Sequence, residues 1–334
     1  SFNPETGLTE TLLEGFSGWS INRRNGTILG SYAGISNGPV GPSNRIGVKG
    51  SEDLGNGLKG IYQVEFGIVT ADANGVPADS DTGNIGMRNT FVGLAGGFGT
   101  FLVGRHDTPL KISTGKLDMF ADTMGDYNGA LGFDDLRTDN TVAYISPNWS
   151  GFQFAGAVHA GGRAGGSPAV VTDAATGITY VSTGEQADSL AEAWSVAAIY
   201  SNGPWYASAA YESLSSDLSN SATVLNEFAS DNLLSEPFDD YTKWRLGLGI
   251  LDWNGFSLTG IYEDRSNTGF LDGRDTSSWQ VQAGYAFGNN MVKASYGARD
   301  RDLDNVLDEE NEVLGVDFGG DLYQWNIAFD HNLS

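Results

Sequence analysis

Residues 279–298 read WQVQAGYAFGNNMVKASYGA, two alternating runs joined by a short Gly-Asn-Asn turn. In the first run Trp279, Val281, Ala283, Tyr285 and Phe287 share one face, and Gln280, Gln282, Gly284 and Ala286 share the other. In the second, Val292, Ala294, Tyr296 and Ala298 oppose Lys293, Ser295, Gly297 and Arg299. A period of two is the mark of a β-strand, whose successive side chains point to opposite faces. Both runs approach ten residues, long for a soluble sheet and suited to a tilted strand that crosses a bilayer.

The pattern recurs from end to end. Leu58, Tyr62, Val64, Phe66 and Ile68 oppose Lys59, Gln63 and Glu65, while Tyr323, Trp325, Ile327 and Phe329 oppose Gln324, Asn326, Ala328 and Asp330. Similar runs cover about 11–23, 43–51, 86–96, 99–106, 137–147, 151–161, 191–201, 204–213, 241–251 and 255–264, giving 14 strand candidates. Alternate connections are short (EDLGNG, GGFG, PNWSG, SNGP, DWNG, GNN), whereas 162–189, 214–240, 265–276 and 300–319 are long and polar. Short turns at one end and long loops at the other are the habit of a transmembrane barrel. Trp149, Phe152, Trp205, Tyr206, Trp253, Phe256 and Phe287 gather beside the short turns. Amphipathic rings favour the headgroup level, so these predict one aromatic girdle.

Composition narrows the function. The chain has 334 residues, no Cys, and 18 Lys+Arg against 42 Asp+Glu, for a formal charge of −24. That balance repels nucleic acid, and the lack of Cys excludes disulfides and thiolate metal sites. No apolar run is long enough for a membrane-spanning helix, a test to which β-barrels are blind. The first residues, SFNPETGLTE, lack the basic-then-apolar pattern of an export signal, so either the chain is not exported or a signal has been removed. The reading is all-β: one transmembrane antiparallel β-barrel over 1–334. Apolar side chains face outward, and Lys49, Lys59, Lys243, Arg245, Lys293 and Arg299 face a wet lumen.

Three stretches carry a family resemblance. NRIGVKGSEDLGNGLKGIYQVEFG (44–67) resembles the second and third strands of Gram-negative general porins. RNTFVGLAGGFGTFLVGRHDTP (88–109) resembles their fourth and fifth strands, LRTDNTVAYISPNWSGFQFAGAVHAG (136–161) the sixth and seventh, and YQWNIAFDHNLS (323–334) a late strand. The resemblance implies a homotrimer of sixteen-stranded barrels. It also implies an outer-membrane location, with lipid and lipopolysaccharide as neighbours and small hydrophilic solutes and ions as cargo. Since 14 strands were counted and such porins continue past an HNLS-like end, a final hairpin is expected to be missing from the sequence, with a smaller closed barrel as the alternative.

In that family an arginine ladder faces acids on an inward-folded third loop, which here is 107–136. The ladder positions are Arg45, Arg88 and Arg137, with Lys49, Lys59 and Arg105 as further lumen cations. Asp107, Asp118, Asp122 and Asp126 are the expected loop acids; the same loop also holds Asp134 and Asp135. In the 88–109 hairpin, Phe91, Gly93 and Ala95 are expected to face lipid, with Arg88 and Thr90 facing water. Passive diffusion with a mild cation preference is the expected activity, with no enzyme chemistry and no cofactor.

Other constellations are weaker. Asp300, Asp302 and Asp304 have the spacing of a calcium loop, but Asn305 and Asn311 stand where Gly and Glu are required. His159 shares the lumen face but has no Ser or Asp partner readable from the sequence. A secreted soluble β-rich adhesin and an outer-membrane barrel hydrolase are the competing readings.

Overall fold

The computed structural model describes residues 45–68, 85–123, 125–160, 190–218, 239–268, 275–302 and 321–331, with the backbone of 2–3, 8–9, 18–24, 27–33, 169–172, 179–182 and 222–225. Fifteen strands form one antiparallel sheet. In chain order they are β1 (Gly18–Arg24), β2 (Thr27–Ala33), β3 (Arg45–Gly55), β4 (Leu58–Ile68), β5 (Ile85–Gly96), β6 (Gly99–Asp107), β7 (Arg137–Ile145) and β8 (Phe152–His159). They continue as β9 (Ala193–Asn202), β10 (Trp205–Leu214), β11 (Tyr241–Trp253), β12 (Phe256–Ser266), β13 (Asp275–Phe287), β14 (Asn290–Asp302) and β15 (Leu322–His331). Each strand from β3 to β15 pairs with its chain neighbour, and β15 returns to pair with β1, leaving β2 and β3 at the two ends of the order. Of the strand expected over 11–23, residues 18–23 lie in β1 and the rest lies outside the described residues, while β2, which was not expected, raises the count from 14.

The tight turns follow from their residues. Asn56-Gly57 and Asn254-Gly255 both take positive φ at the two central positions. That is the turn whose twist matches antiparallel strands, and Asn-Gly tolerates it best.

Burial is inverted relative to a soluble protein. On β13, Gln280 and Gln282 are 1% exposed while Val281 and Tyr285 are 46% and 52% exposed. The same inversion holds on β11, where Lys243 and Arg245 are buried and Trp244, Leu246 and Leu248 are exposed. Water cannot be the solvent of that outer face, because so much contiguous apolar surface would drive aggregation. Trp149, Phe152, Trp205, Trp253, Phe256 and Phe287 stand exposed beside the short turns, as the girdle reading requires. Tyr206 does not; it turns inward and donates to the Ser113 carbonyl at 2.8 Å. A second set, Trp194, Tyr211, Trp244, Trp279, Tyr296 and Tyr323, is exposed nearer the loop ends. Leu248, between the two sets, tests the assignment: Leu248→Arg is expected to cost about 2–4 kcal/mol of stability in a lipid bilayer. Equal stability of variant and wild type would contradict a lipid-facing β11.

Two irregularities set the direction of side chains on the other wall. The β4–β5 register steps from Val64↔Thr90 to Phe66↔Met87, so Arg88 and Asn89 together oppose Glu65. The β6–β7 register steps from Gly104↔Thr141 to His106↔Thr138, with Asn140 at φ 52° in the extra position. Such bulges re-aim side chains and tend to sit beside functional sites. The first one corrects the 88–109 hairpin. Val92 and Leu94 are the exposed outward residues; Phe91 packs inward on Leu102, Ala143 and Ala157. Gly93 and Ala95 share the Phe91 face, and Thr90 shares the face of Val92. Alternation counted through the bulge from Arg88 is therefore one residue out of phase.

The segment between β6 and β7 runs inside the sheet. It holds α1 (Pro109–Thr114), capped by the Thr108 hydroxyl, and α2 (Tyr127–Leu131), capped by the Asp126 carboxylate and closed by Gly132 at φ 68°. Leu117, Tyr127, Leu131 and Phe133 pack there against Ile199, Tyr206 and Ile261 of the wall. This is the largest apolar core among the described residues, and it lies within the barrel.

Candidate functional site in the barrel lumen

The wall formed by β3, β4, β5 and β7 brings the three ladder arginines together. Arg88 Nε lies 2.5 Å from Glu65 Oε1, and Arg45 Nη1 lies 3.8 Å from the same oxygen. Gln63 Nε2 donates to the other Glu65 oxygen at 3.1 Å. Arg137 reaches Asp107 at 2.9 Å and donates through Nε to Asn89 Oδ1 at 2.7 Å. The first bulge turns both Arg88 and Asn89 inward, and so aligns Arg88 with Glu65 and Asn89 with Arg137. Arg45 keeps about half of its side chain in solvent. Lys49 and Lys59 share its inward face, are exposed, and form no ion pair among the described residues.

Arg105 departs from the expected lumen set. It pairs with Thr90 and follows Phe101 and Val103 on the outward face of β6, where it meets Asp139 at 2.8 Å and the Met87 carbonyl at 3.2 Å. Strand alternation between Val103 and Arg105 is unbroken, which is the reason for its direction.

The loop acids divide by role. Asp122, held at φ 60°, is the loop-tip acid that meets the ladder, 3.6 Å from Arg45 Nη2. Asp107 sits at the base of the loop, shared between Arg137 and Lys111. Asp126 caps α2 and also accepts from the Asp122 amide at 3.0 Å. Asp118 points to the opposite wall, where Gln282 Nε2 donates to it at 2.8 Å. Burial raises the Asp118 carboxyl from 3.8 to about 7, and the neighbouring Asp126 carboxylate adds to the rise. The folded chain thus holds this proton more tightly than the unfolded one, so the stabilisation is present below 3.8 and is lost as pH climbs through about 7. Asp118→Asn is expected to flatten that dependence, read as denaturation temperatures at about pH 5 and about pH 8.

A second constellation, on β10, β11, β12 and β14, grips the loop. Lys243 Nζ meets Glu212 at 2.9 Å and Asp134 at 3.0 Å. Arg245 pairs with Glu263 and Asp135 and donates to Thr114 Oγ1 at 3.0 Å. Lys293 Nζ donates to the Met119 carbonyl at 2.6 Å. Burial alone would push the Asp134 carboxyl up, but Lys243 and the Tyr241 hydroxyl outweigh it and hold it below its ordinary value. Lys243, Arg245 and Lys293, read from sequence as pore lining, are instead anchors of the loop. Glu65, Glu212 and Glu263 were not singled out from sequence; Glu65 shares the inward parity of Lys59 and Gln63, a signal that could have found it.

The remaining candidates gain no site. Asp300 and Asp302 of the weak calcium candidate lie in β14, in register with Ser277 and Asp275, so the chain there is extended strand and not a loop. Asp304 lies outside the described residues. His159 Nδ1 is hydrogen-bonded to the hydroxyls of Thr138 and Thr141 at 2.7 and 2.9 Å, both residues of the wall.

Sequence and structure comparisons agree with this fold. Major outer membrane protein P.IB of Neisseria meningitidis is 38% identical over 136 residues, 40% of this chain and 37% of that protein. An outer membrane porin protein of Bordetella pertussis is 32% identical over 130 residues, 38% of this chain and 31% of that protein. The chain thus matches about a third of the length of these relatives. In fold it resembles an anion-selective porin from Comamonas acidovorans, at TM-score 0.54 and 19% identity over 95% of this chain and 97% of that one. OmpF of Salmonella typhi gives TM-score 0.51 at 15% identity, over 94% and 96%. The family model for Gram-negative porins matches residues 13–334. It sets aside the soluble adhesin and the barrel hydrolase, because porins are outer-membrane channels and not enzymes. The chain belongs to the Gram-negative porin family.

Proposed function

We propose that this chain forms, as one barrel domain, a water-filled channel for passive diffusion of ions and small hydrophilic solutes, narrowed by the loop 107–136. The observation that carries the reading is the approach of the Asp122 carboxylate, at the loop tip, to the Arg45 guanidinium on the facing wall. Opposed fixed charges across a narrow aqueous path orient dipolar solutes and penalise apolar ones, so selection works by radius and electrostatic barrier. Incorporation into planar bilayers is expected to give stepwise conductance; a membrane left silent by folded protein would overturn the reading.

Two influences set the ion preference. The formal charge of −24 gathers cations at the mouths, while the ladder attracts anions. Glu65 shields Arg45 and Arg88 from within, which supports the mild cation preference inferred from the net charge. A reversal potential favouring anions in a salt gradient would contradict it.

A homotrimer in lipid and lipopolysaccharide fits the outer face. Ile46, Val48, Val64, Met87, Val92 and Leu94 make β3 to β5 largely aliphatic outside, with Tyr62 among them, whereas the strand tryptophans whose side chains are described fall on β9 to β15. A largely aliphatic patch suits contact between copies. Val92→Arg is expected to convert trimers to monomers on native gels.

A further inference from the structure

Gly284, on β13, shares the inward face of Gln280 and Gln282 and is buried. The space a side chain would take there is filled by two thioethers. The Met119 sulfur, from the loop, lies 2.9 Å from where a Gly284 Cβ would stand, and the Met291 methyl carbon, from β14, lies 2.5 Å from it. Met119 is also the residue that ties this stretch of the loop to the wall. Its amide donates to Gln282 Oε1 at 2.6 Å, and its carbonyl accepts from Lys293 Nζ at 2.6 Å. The same ammonium meets Asp330 at 2.7 Å and lies 4.9 Å from the Phe120 ring centroid.

The sequence holds four methionines, and their surroundings separate them. Met87 is exposed on the outer face, where hydrocarbon surrounds it. Met124 lies outside the described residues. Met119 and Met291 are half-buried inside the barrel, so a small oxidant dissolved in the lumen reaches them. A thioether sulfur takes an oxygen atom from hydrogen peroxide: the S–O bond forms, the O–O bond breaks, and water leaves with the second oxygen and both protons. The sulfur gives up two electrons and the peroxide gains them. A flexible apolar side chain thereby becomes a polar one. Over Gly284 the new oxygen adds bulk against the wall. It also sets a strong acceptor beside Lys293, in competition with the Met119 carbonyl and Asp330 for one ammonium.

We propose that Met119 is a site of oxidation by peroxide, at which one added oxygen frees the loop from the β13–β14 wall and widens the path beside it. The release rests on the contacts of Met119; its effect on conductance rests on the channel reading.

The test treats the full chain, folded in detergent, with dilute hydrogen peroxide and maps the added oxygen on each methionine by peptide mass spectrometry. Met119 is expected to be oxidised several-fold faster than Met87. As it is, single-channel conductance and current noise should rise and the denaturation temperature should fall. Met119→Leu is expected to lose these responses to peroxide, and Met291→Leu to keep them. Met119→Gln, polar and of similar length, should show raised conductance without any oxidant, and it carries the comparison if Met119→Leu does not fold. Three results would each overturn the proposal: Met119 unmodified while Met87 is oxidised, Met119 oxidised with conductance and denaturation temperature unmoved, or a response that persists in folded Met119→Leu. Wild type that never conducts would overturn the channel reading instead, and the mass map and denaturation temperature would still decide the oxidation site.

Discussion

Arg245→Met is expected to loosen the loop 107–136, raising single-channel conductance and current noise while lowering the temperature at which the folded barrel denatures. Arg245 is completely buried and is the only counter-charge in contact with Asp135 among the described residues. It also lies 5.6 Å and 5.5 Å from the ring centroids of Tyr127 and Phe133. Methionine would keep the stem volume but leave the Asp135 carboxylate without its cation and strip Glu263 of its nearest one. Removing one partner of a buried ion pair costs about 3–5 kcal/mol, mostly the penalty of the charge left behind. The double variant Arg245→Met, Glu263→Met should recover much of the stability, because one stranded charge is gone, yet not the wild-type conductance. Unchanged conductance and denaturation temperature in the single variant would show that the clamp does not hold the loop.

Glu65→Gln tests the other wall. The amide keeps the shape and the hydrogen bond from Gln63, but removes the one carboxylate shared by Arg45 and Arg88. Two guanidinium groups would then face the path with only Asp122 opposite. A change of about 1 kcal/mol in ion free energy corresponds to roughly a fivefold shift of permeability ratio toward anions. The shift should shrink in about 1 M salt, where screening acts over roughly 3 Å. A reversal potential identical to wild type at low salt would remove Glu65 from the selectivity machinery.

Much of this molecule was legible in its sequence because a bilayer imposes a simple rule. Each crossing strand must alternate, so Gln280, Gln282, Lys293 and Ser295 could be assigned inward from spacing alone. Arg45, Arg88 and Arg137 were located for the same reason, helped by family resemblance. The rule fails where a bulge adds a residue. Nothing in RNTF announces that Arg88 and Asn89 share one partner, so Phe91 and Thr90 were assigned to each other's face. The β1–β2 hairpin was missed although Asn25-Gly26, between the two strands, is the strongest short-range turn signal a sequence offers. The loop resisted reading for a different reason. Which of six aspartates reach the ladder depends on the path of the chain, set by long-range contacts such as Thr259 Oγ1 donating to the Leu117 carbonyl, which leave no local pattern.

The one-sided seating of the loop has a consequence for how such a channel changes over generations. The β10–β13 wall is committed to packing, and substitutions there must satisfy a dense set of neighbours. Arg45, Lys49 and Lys59, on the far wall, are exposed to the lumen and carry little of that load. Charge on that wall can drift, one codon at a time, without endangering assembly. On the proposed channel reading, substitutions that retune permeation there leave the packing of the loop untouched.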